Sequence, residues 1–309
     1  RRDTEDEAQV VYSMDNISIY GAHAYSLTFG EAARRKLICN YKVIISTITS
    51  DKVTDALLSR GEVIVNGDAV RARQVANQIA LCEAVEKYGI KKIFTFHKTV
   101  KSAASFVADG SEGIRTHLTD FDTFHVNGGM PTARRDRVMY AFRGASQAVI
   151  SNARCLTEGV DVPAVDMVAF LSPRRSRVDI VQATGRAMRL ADGKVTGYVL
   201  VPLYVEISTG ESVEAAVSRA NFDEVWDVLQ SLQEQDEVLA EFIRHVGEQK
   251  GRGKGFDDRG FTERIAFDGE CLSLAKLKTA VATRCVEELY SSWDVSFGKL
   301  RDFKERFGH

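Results

Sequence analysis

Cysteine is scarce and scattered in this 309-residue chain. Cys39, Cys82, Cys155, Cys271 and Cys285 lie far apart, with no C-x-x-C step and no histidine pattern beside them. An odd, dispersed set argues against a disulfide framework or a zinc site; it fits a reducing compartment, so a cytoplasmic location is expected. Each cysteine reads as a small buried hydrophobe. Long apolar runs are missing too. No stretch approaches the ~18 residues that would span a bilayer, so no membrane partner is expected. The amino end, RRDTEDEAQ, lacks the apolar core of a secretory signal and has no initiating methionine, so the chain is expected to begin inside a longer polypeptide. Finally, neither sign of charge dominates. A net charge of -2 points to neither nucleic acid nor an acidic surface as a partner. A local basic strip can still bind phosphate, because the field near a surface follows clustering rather than the sum.

What is present describes an ordinary globular protein, 44% hydrophobic and 27% charged. The length suits one full domain with a smaller unit, or two domains. Between 41 and 203, short apolar runs alternate with helical patterns. YKVIISTI (41–48), KKIFTF (91–96), 122–126, QAVIS (147–151), DMVAFL (166–171) and GYVLVP (197–202) read as strands. Helices are expected at 69–87, after a Thr99 cap, from Pro131 to about 142, and at 177–188. Six such alternations predict an α/β fold, a parallel sheet wrapped by helices. From 211 to 249 the apolar spacing is helical. GRGKGFDDRG (251–260) reads as a glycine-rich flexible break, whose Lys250, Arg252, Lys254 and Arg259 read more simply as solvated than as strand contacts. The last 50 or so residues read as helical again.

Four segments carry residue types suited to phosphate chemistry. In Gln182-Ala-Thr-Gly185-Arg186-Ala-Met-Arg189, two arginines three apart read as sharing one face at the start of a helix. A guanidinium is permanently charged and forks two donors toward phosphate oxygens. Alone, such a spacing is more simply a solvated basic face. Thr157-Glu158-Gly159-Val160-Asp161-Val162-Pro163 follows a strand, about two dozen residues before the arginines. His125-Val-Asn-Gly128-Gly129-Met130-Pro131 leads into a helix bearing Arg134, Arg135 and Arg137. In Ile93-Phe-Thr-Phe-His97-Lys98-Thr99-Val100 a strand runs into a helix start, where Lys98 and Thr99 can meet a phosphate.

In this order, across about 100 residues, the four segments resemble the motifs of the C-terminal RecA-like motor domain of superfamily-two nucleic-acid helicases. The resemblance implies catalytic arginine fingers at Arg186 and Arg189, reaching the terminal phosphate of ATP. It implies ATP contacts at Gln182, Gly185, Gly159 and Asp161, and nucleic-acid contacts at Lys98, Thr99, Arg135 and Thr157. Val126 and Asn127 separate His125 from its glycines, unlike the family pattern, so no role is carried to His125, which reads as a half-buried strand-end residue. Ser13-Met-Asp-Asn to Tyr41-Lys-Val resembles the joint between motor domains in restriction-type helicases. Ser292-Trp293, Leu300, Phe303 and Phe307-Gly308-His309 resemble the start of a helicase-associated helical repeat. The implied organisation is an interdomain segment (1–40), the motor domain (41–205), a helical extension (206–250), and a linker with the start of a helical region (251–309).

No phosphate loop accompanies these motifs. Gly-Lys occurs at 193, 253 and 298, followed by Val195, Gly255 and Leu300 and without the leading glycine. No Asp-Glu pair follows an apolar strand. ATP and Mg2+ are therefore expected to be held mainly by a missing N-terminal RecA-like domain, and this chain alone is expected to be inactive. DNA is favoured over RNA as the strand. Two rivals remain: a non-catalytic binding module with a helicase-like fold, for which the two arginines would have no use, and an unrelated doubly wound enzyme. The latter needs a glycine-rich turn after its first strand, where Ser50 and Asp51 stand instead.

Overall fold

The structure, a computed structural model, describes residues 17–22, 24, 25, 27–59, 69–110, 113–153, 165–172, 177–253, 264–269, 283, 284 and 289–308. Seven strands form one sheet: β1 (Asn40–Thr49), β2 (Lys92–Phe96), β3 (Asp122–Asn127), β4 (Ala148–Ala153), β5 (Met167–Phe170), β6 (Thr196–Val205) and β7 (Ile265–Asp268). Their order is β3-β4-β2-β5-β6-β1-β7, and every pairing is parallel. The helices are α1 (Ile17–Tyr20), α2 (Phe29–Arg34), α3 (Ser50–Ser59), α4 (Ala69–Tyr88), α5 (Val100–Val107), α6 (Thr132–Gly144), α7 (Arg177–Ala187), α8 (Val213–Arg219), α9 (Asp223–Gln233), α10 (Glu237–Gly251) and α11 (Ser292–Phe307). Among the described residues, no helix is long and apolar enough to cross a membrane.

A parallel sheet must be covered on both faces, and the strand sequences show it as apolar runs rather than alternation. Val43, Ile45, Phe94, Phe96, Ile150, Phe170, Val199 and Val201 project to one side. They pack with Met139 and Phe142 of α6, Ile180 and Ala183 of α7, Val225, Val228 and Leu232 of α9, and Leu239 and Ile243 of α10. Ile44, Ile93, Val149, Met167, Ala169 and Leu200 alternate to the other side, against Leu81 and Ala84 of α4 and Phe106 of α5. Ile48 continues that side onto Val53 and Leu57 of α3 and Val75 and Ala76 of α4.

Three local expectations are corrected. The stretch read as helical after 260 supplies β7, which pairs with the outer edge of β1 through Val43↔Ile265 and Ile45↔Phe267. Two anchors fix it, the first of them buried. Arg264 donates to Asp236 at 2.8 Å, and Asp236 in turn caps α10 by accepting from Val238 N–H at 2.9 Å. Lys87 and Tyr88 of α4 donate to Asp268 at 2.6 and 2.9 Å. The glycine-rich break is, at its start, closely packed helix: a Cβ on Gly251 would meet the Val295 carbonyl at 2.0 Å, and the Gly298 position meets Glu248 O at 2.1 Å. Arg252 there pairs with Glu305 of α11, so it is held rather than solvated; Lys254 and Arg259 lie outside the described residues. Third, Arg186 sits in the last turn of α7 and Arg189 beyond it, so the arginines end a helix instead of starting one.

The end of α7 is held against the starts of three strands. Cys39 N–H, just before β1, donates to Met188 O at 2.9 Å. Lys194 Nζ donates to Val165 O ahead of β5 at 2.6 Å, to Arg189 O at 3.2 Å, and to Ala187 O. A cation among the last carbonyls of a helix also offsets the negative end of its dipole. Gly197, on β6, lets this approach happen, because a Cβ there would stand 2.0 Å from Ala187 O. Replacing Gly197 by Ala therefore forces α7 and β6 apart. Gly197→Ala should lower the stability of the chain by about 1–3 kcal/mol. A shift of the urea unfolding midpoint with an unchanged slope reads this out; a midpoint equal to wild type contradicts the contact.

Candidate nucleotide and strand sites

Because both faces of the sheet are covered, polar side chains gather at the strand ends. At the C-terminal edge, β2 ends on Thr95, His97, Lys98 and Thr99. Thr99 caps α5 in a reciprocal box: its hydroxyl accepts from Ser102 N–H at 3.0 Å, and Ser102 Oγ accepts from Thr99 N–H at 3.2 Å. The expected cap is thus present, and it fixes Lys98 at the positive end of α5, exposed to solvent.

Lys98 and Thr99 line a cleft of about 830 Å³. Its walls are α4 (Arg73, Gln74, Asn77, Gln78), the first turns of α5, the ends of β5 and β6 (Leu171, Tyr204), and the segment from α8 to α9 (Arg219, Asn221, Glu224, Asp227). Glu224 is its most perturbed group. Burial raises the carboxyl to about 7, while the Arg73 charge opposes the shift and Asp227 and Asp223 add to it. Burial, with Asp223, also raises Asp227.

Next to this cleft, His125 joins β3 to β4. Ser151 Oγ donates to Ala103 O at 2.7 Å and accepts from His125 Nδ1 at 3.1 Å. His125 Nε2 then accepts from Asn127 Nδ2 at 3.2 Å, and Asn127 Oδ1 accepts from Gly129 N–H at 3.0 Å. This relay assigns the neutral imidazole with its proton on Nδ1, in line with burial lowering the His125 pKa. The half-buried strand residue expected from the sequence is therefore linked to its glycine turn, through the Asn127 side chain. That turn leads by way of Pro131 into α6, where Arg135 is half-buried and Arg134 and Arg137 are exposed.

The arginine motif lies elsewhere. α7 leaves the C-terminal edge after β5 and runs back, so Arg186 and Arg189 stand at the N-terminal edge of the sheet beside Cys39, Lys194 and Gly197. A five-residue strand separates the two edges by roughly 16 Å. Gln182 and Arg186 lie one turn apart on α7, and Arg189 follows in the turn beyond the helix end. Gln182 and Arg189 are exposed and Arg186 is 7% exposed. A Cβ on Gly185, beside them, would meet nothing within 4 Å, so that surface is open. Burial lowers the Arg186 pKa, and the charge acting on it is the positive one of Arg189. Two guanidiniums held together in this way are suited to an anion, and the donor set fits the terminal phosphates of a nucleotide.

The structure thus brings Lys98 and Thr99 into one cleft, leaves Arg135 on neighbouring α6, and places Gln182, Gly185, Arg186 and Arg189 at the opposite edge. Thr157, Gly159 and Asp161 lie outside the described residues. No cluster of three His, Cys, Asp or Glu side chains among the described residues is arranged to hold a metal ion. Sequence reasoning missed Lys194. Its signal was a lysine after a left-handed glycine turn (Gly193, φ 73°) just past a helix end.

Residues 76–191 match the model of the helicase conserved C-terminal domain. That span runs from α4 to just past Arg189. UvrABC system protein B of Chlamydia abortus is 34% identical over 95 residues, 28% of this chain and 14% of that protein. The mitochondrial ATP-dependent RNA helicase MSS116 of Lodderomyces elongisporus is 22% identical over 158 residues, 49% of this chain and 23% of that protein. Among solved structures, the ATP-dependent Type ISP restriction-modification enzyme LlaBIII bound to DNA superposes with a TM-score of 0.67 at 24% identity. That match covers 94% of this chain and 20% of the enzyme, so this chain spans under a quarter of each of these relatives. Residues 76–191 therefore match a helicase conserved C-terminal domain, in agreement with the motif order and the strand topology, and the chain shares the fold of the corresponding part of the restriction enzyme.

Proposed function

We propose that this chain is the second motor domain of an ATP-dependent nucleic-acid translocase, completed by a separate RecA-like domain that holds ATP and Mg2+. The observation that carries this reading is Arg186. It is a guanidinium 7% exposed, its neighbouring charge is another guanidinium, and the surface before it at Gly185 is open. Guanidiniums side by side draw an anion to them. A terminal phosphate presented by the other domain would be that anion. ATP supplies the phosphoryl group whose transfer drives the cycle. Arg186 and Arg189 stabilise the charge spread over that group, Gln182 stands one turn before Arg186 on α7, and Gly185 leaves room for the nucleotide. Gly159 and Asp161, which follow β4 in the sequence, are assigned to the nucleotide by resemblance.

The C-terminal edge serves the strand. Lys98 and the first turn of α5 offer a cation and backbone donors to a phosphate. Arg135 on α6 and Thr157 after β4 extend the track. DNA is the favoured strand, since the restriction enzyme that shares this fold was solved bound to DNA. Closure on the ATP-binding domain and release would then alternate the grip on phosphates.

Two measurements separate the edges. In the polypeptide extended upstream to include the ATP-binding domain, Arg186→Ala should reduce strand-stimulated kcat by about 10³-fold or more, while this chain alone turns over no ATP. An extended form that hydrolyses ATP equally well with Arg186→Ala contradicts the finger assignment. Lys98→Ala in this chain should weaken all strands alike and lower the slope of log K against log salt by about 1. An unchanged slope would remove Lys98 from the interface.

A further inference from the structure

The cleft at the C-terminal edge has a second wall, opposite Lys98, for which the strand contacts above have no use. Asn77 of α4 and Asn221 before α9 both line it, with Glu224 near them and the Tyr204 ring at the β6 end. The Asn221 Oδ1 accepts from Asp223 N–H at 2.8 Å, which leaves its second lone pair and its amide N–H groups for a ligand. Charge is uneven across the cleft. Lys98 and the first turn of α5 are positive, while the other wall sets Asp223, Glu224 and Asp227 among Arg73 and Arg219. A phosphate is drawn to the first. An uncharged group with N–H donors suits the carboxylates of the second.

One ligand carries both parts. A nucleotide has an anionic phosphate at one end and, in adenine, cytosine and guanine, an exocyclic amino group at the other. A carboxylate accepts from cytosine N4, and an asparagine pairs with adenine N6 and N7. Thymine turns a carbonyl oxygen toward the position that a carboxylate occupies, acceptor against acceptor. The 830 Å³ of the cleft lies within the range of sites that hold one small molecule.

We propose that this cleft takes one unstacked nucleotide of a bound single strand, its phosphate at Lys98 and Thr99 and its base against Asn77, Asn221 and Glu224, and that it selects bases bearing an exocyclic amino group. This rests on the strand-binding reading above. The helical segment that follows β6 thereby becomes a specificity element, since Asn221 and Glu224 both belong to it.

The test is fluorescence anisotropy of the full chain with labelled homopolymers of deoxyadenosine, deoxycytidine and deoxythymidine of equal length. A pH of about 8 keeps the Glu224 carboxyl, raised to about 7, ionised. The deoxycytidine and deoxyadenosine strands should bind about five- to tenfold more tightly than the deoxythymidine strand. Glu224→Gln, which keeps size and shape, should cut that preference to under twofold by improving the deoxythymidine strand, because an amide donates to a carbonyl. Asn221→Ala combined with Asn77→Ala should reach the same ratio by weakening the preferred strands. If wild type binds all three equally while Lys98→Ala weakens all of them, the nucleotide cleft is overturned and the strand interface stands. If Lys98→Ala changes nothing, the strand interface fails and the cleft proposal falls with it.

Discussion

Everything chemical in this molecule follows from one constraint: a parallel sheet whose two faces are both buried. The strand backbones satisfy one another, and alternate side chains of every interior strand vanish into one of two apolar layers. Polar groups are left only at the two rims. Thr95, His97, Lys98 and Thr99 collect at one rim, and Arg186, Arg189 and Lys194 at the other. A translocase of the kind proposed, with one phosphate site for the strand and one for the nucleotide, needs that kind of division. A motor transmits work only if its two grips are held at a fixed distance, and a close-packed sheet provides this.

The rim that carries Arg186 and Arg189 keeps two guanidiniums together, and the helix that bears them is braced there. Lys194 ties the last carbonyls of α7 to the strand before β5, and Gly197 lets β6 pass within contact of Ala187. Lys194 itself is a cation drawn into a partly buried position, and burial lowers its pKa. The helix end is thus crowded with positive charge, as the proposed finger role requires.

The strands were the most legible part of the sequence. YKVIISTI and QAVIS are β-branched and apolar because both faces are covered, and their bounds moved only by a residue or two. The Thr99 cap was legible for the same reason: its partner, Ser102, is three residues away. What escaped is non-local. β7 has four residues and exists because β1 would otherwise present an open edge and because Arg264 and Asp268 find Asp236, Lys87 and Tyr88 from other elements. Lys194 reads as an unremarkable surface lysine until the carbonyls of Val165 and Ala187 are brought to it. The two residues between His125 and its glycines looked like a break in the motif; Asn127, one of them, makes the connection. Likewise, no periodicity could place Asn221 and Glu224 opposite Lys98, because that juxtaposition depends on where α9 packs on β6.

The coupling of the two rims is the point on which the motor assignment turns. The direct measurement is the affinity for a single strand of the polypeptide that includes the ATP-binding domain, with and without a non-hydrolysable ATP analogue. Coupled sites require a change of about fivefold or more, and reciprocity requires the strand to shift the analogue's affinity by the same factor. Arg189→Ala should reduce both changes together. Equal strand affinity with and without the analogue, in a protein that binds each of them, would mean that the sheet carries two independent phosphate sites and no motor.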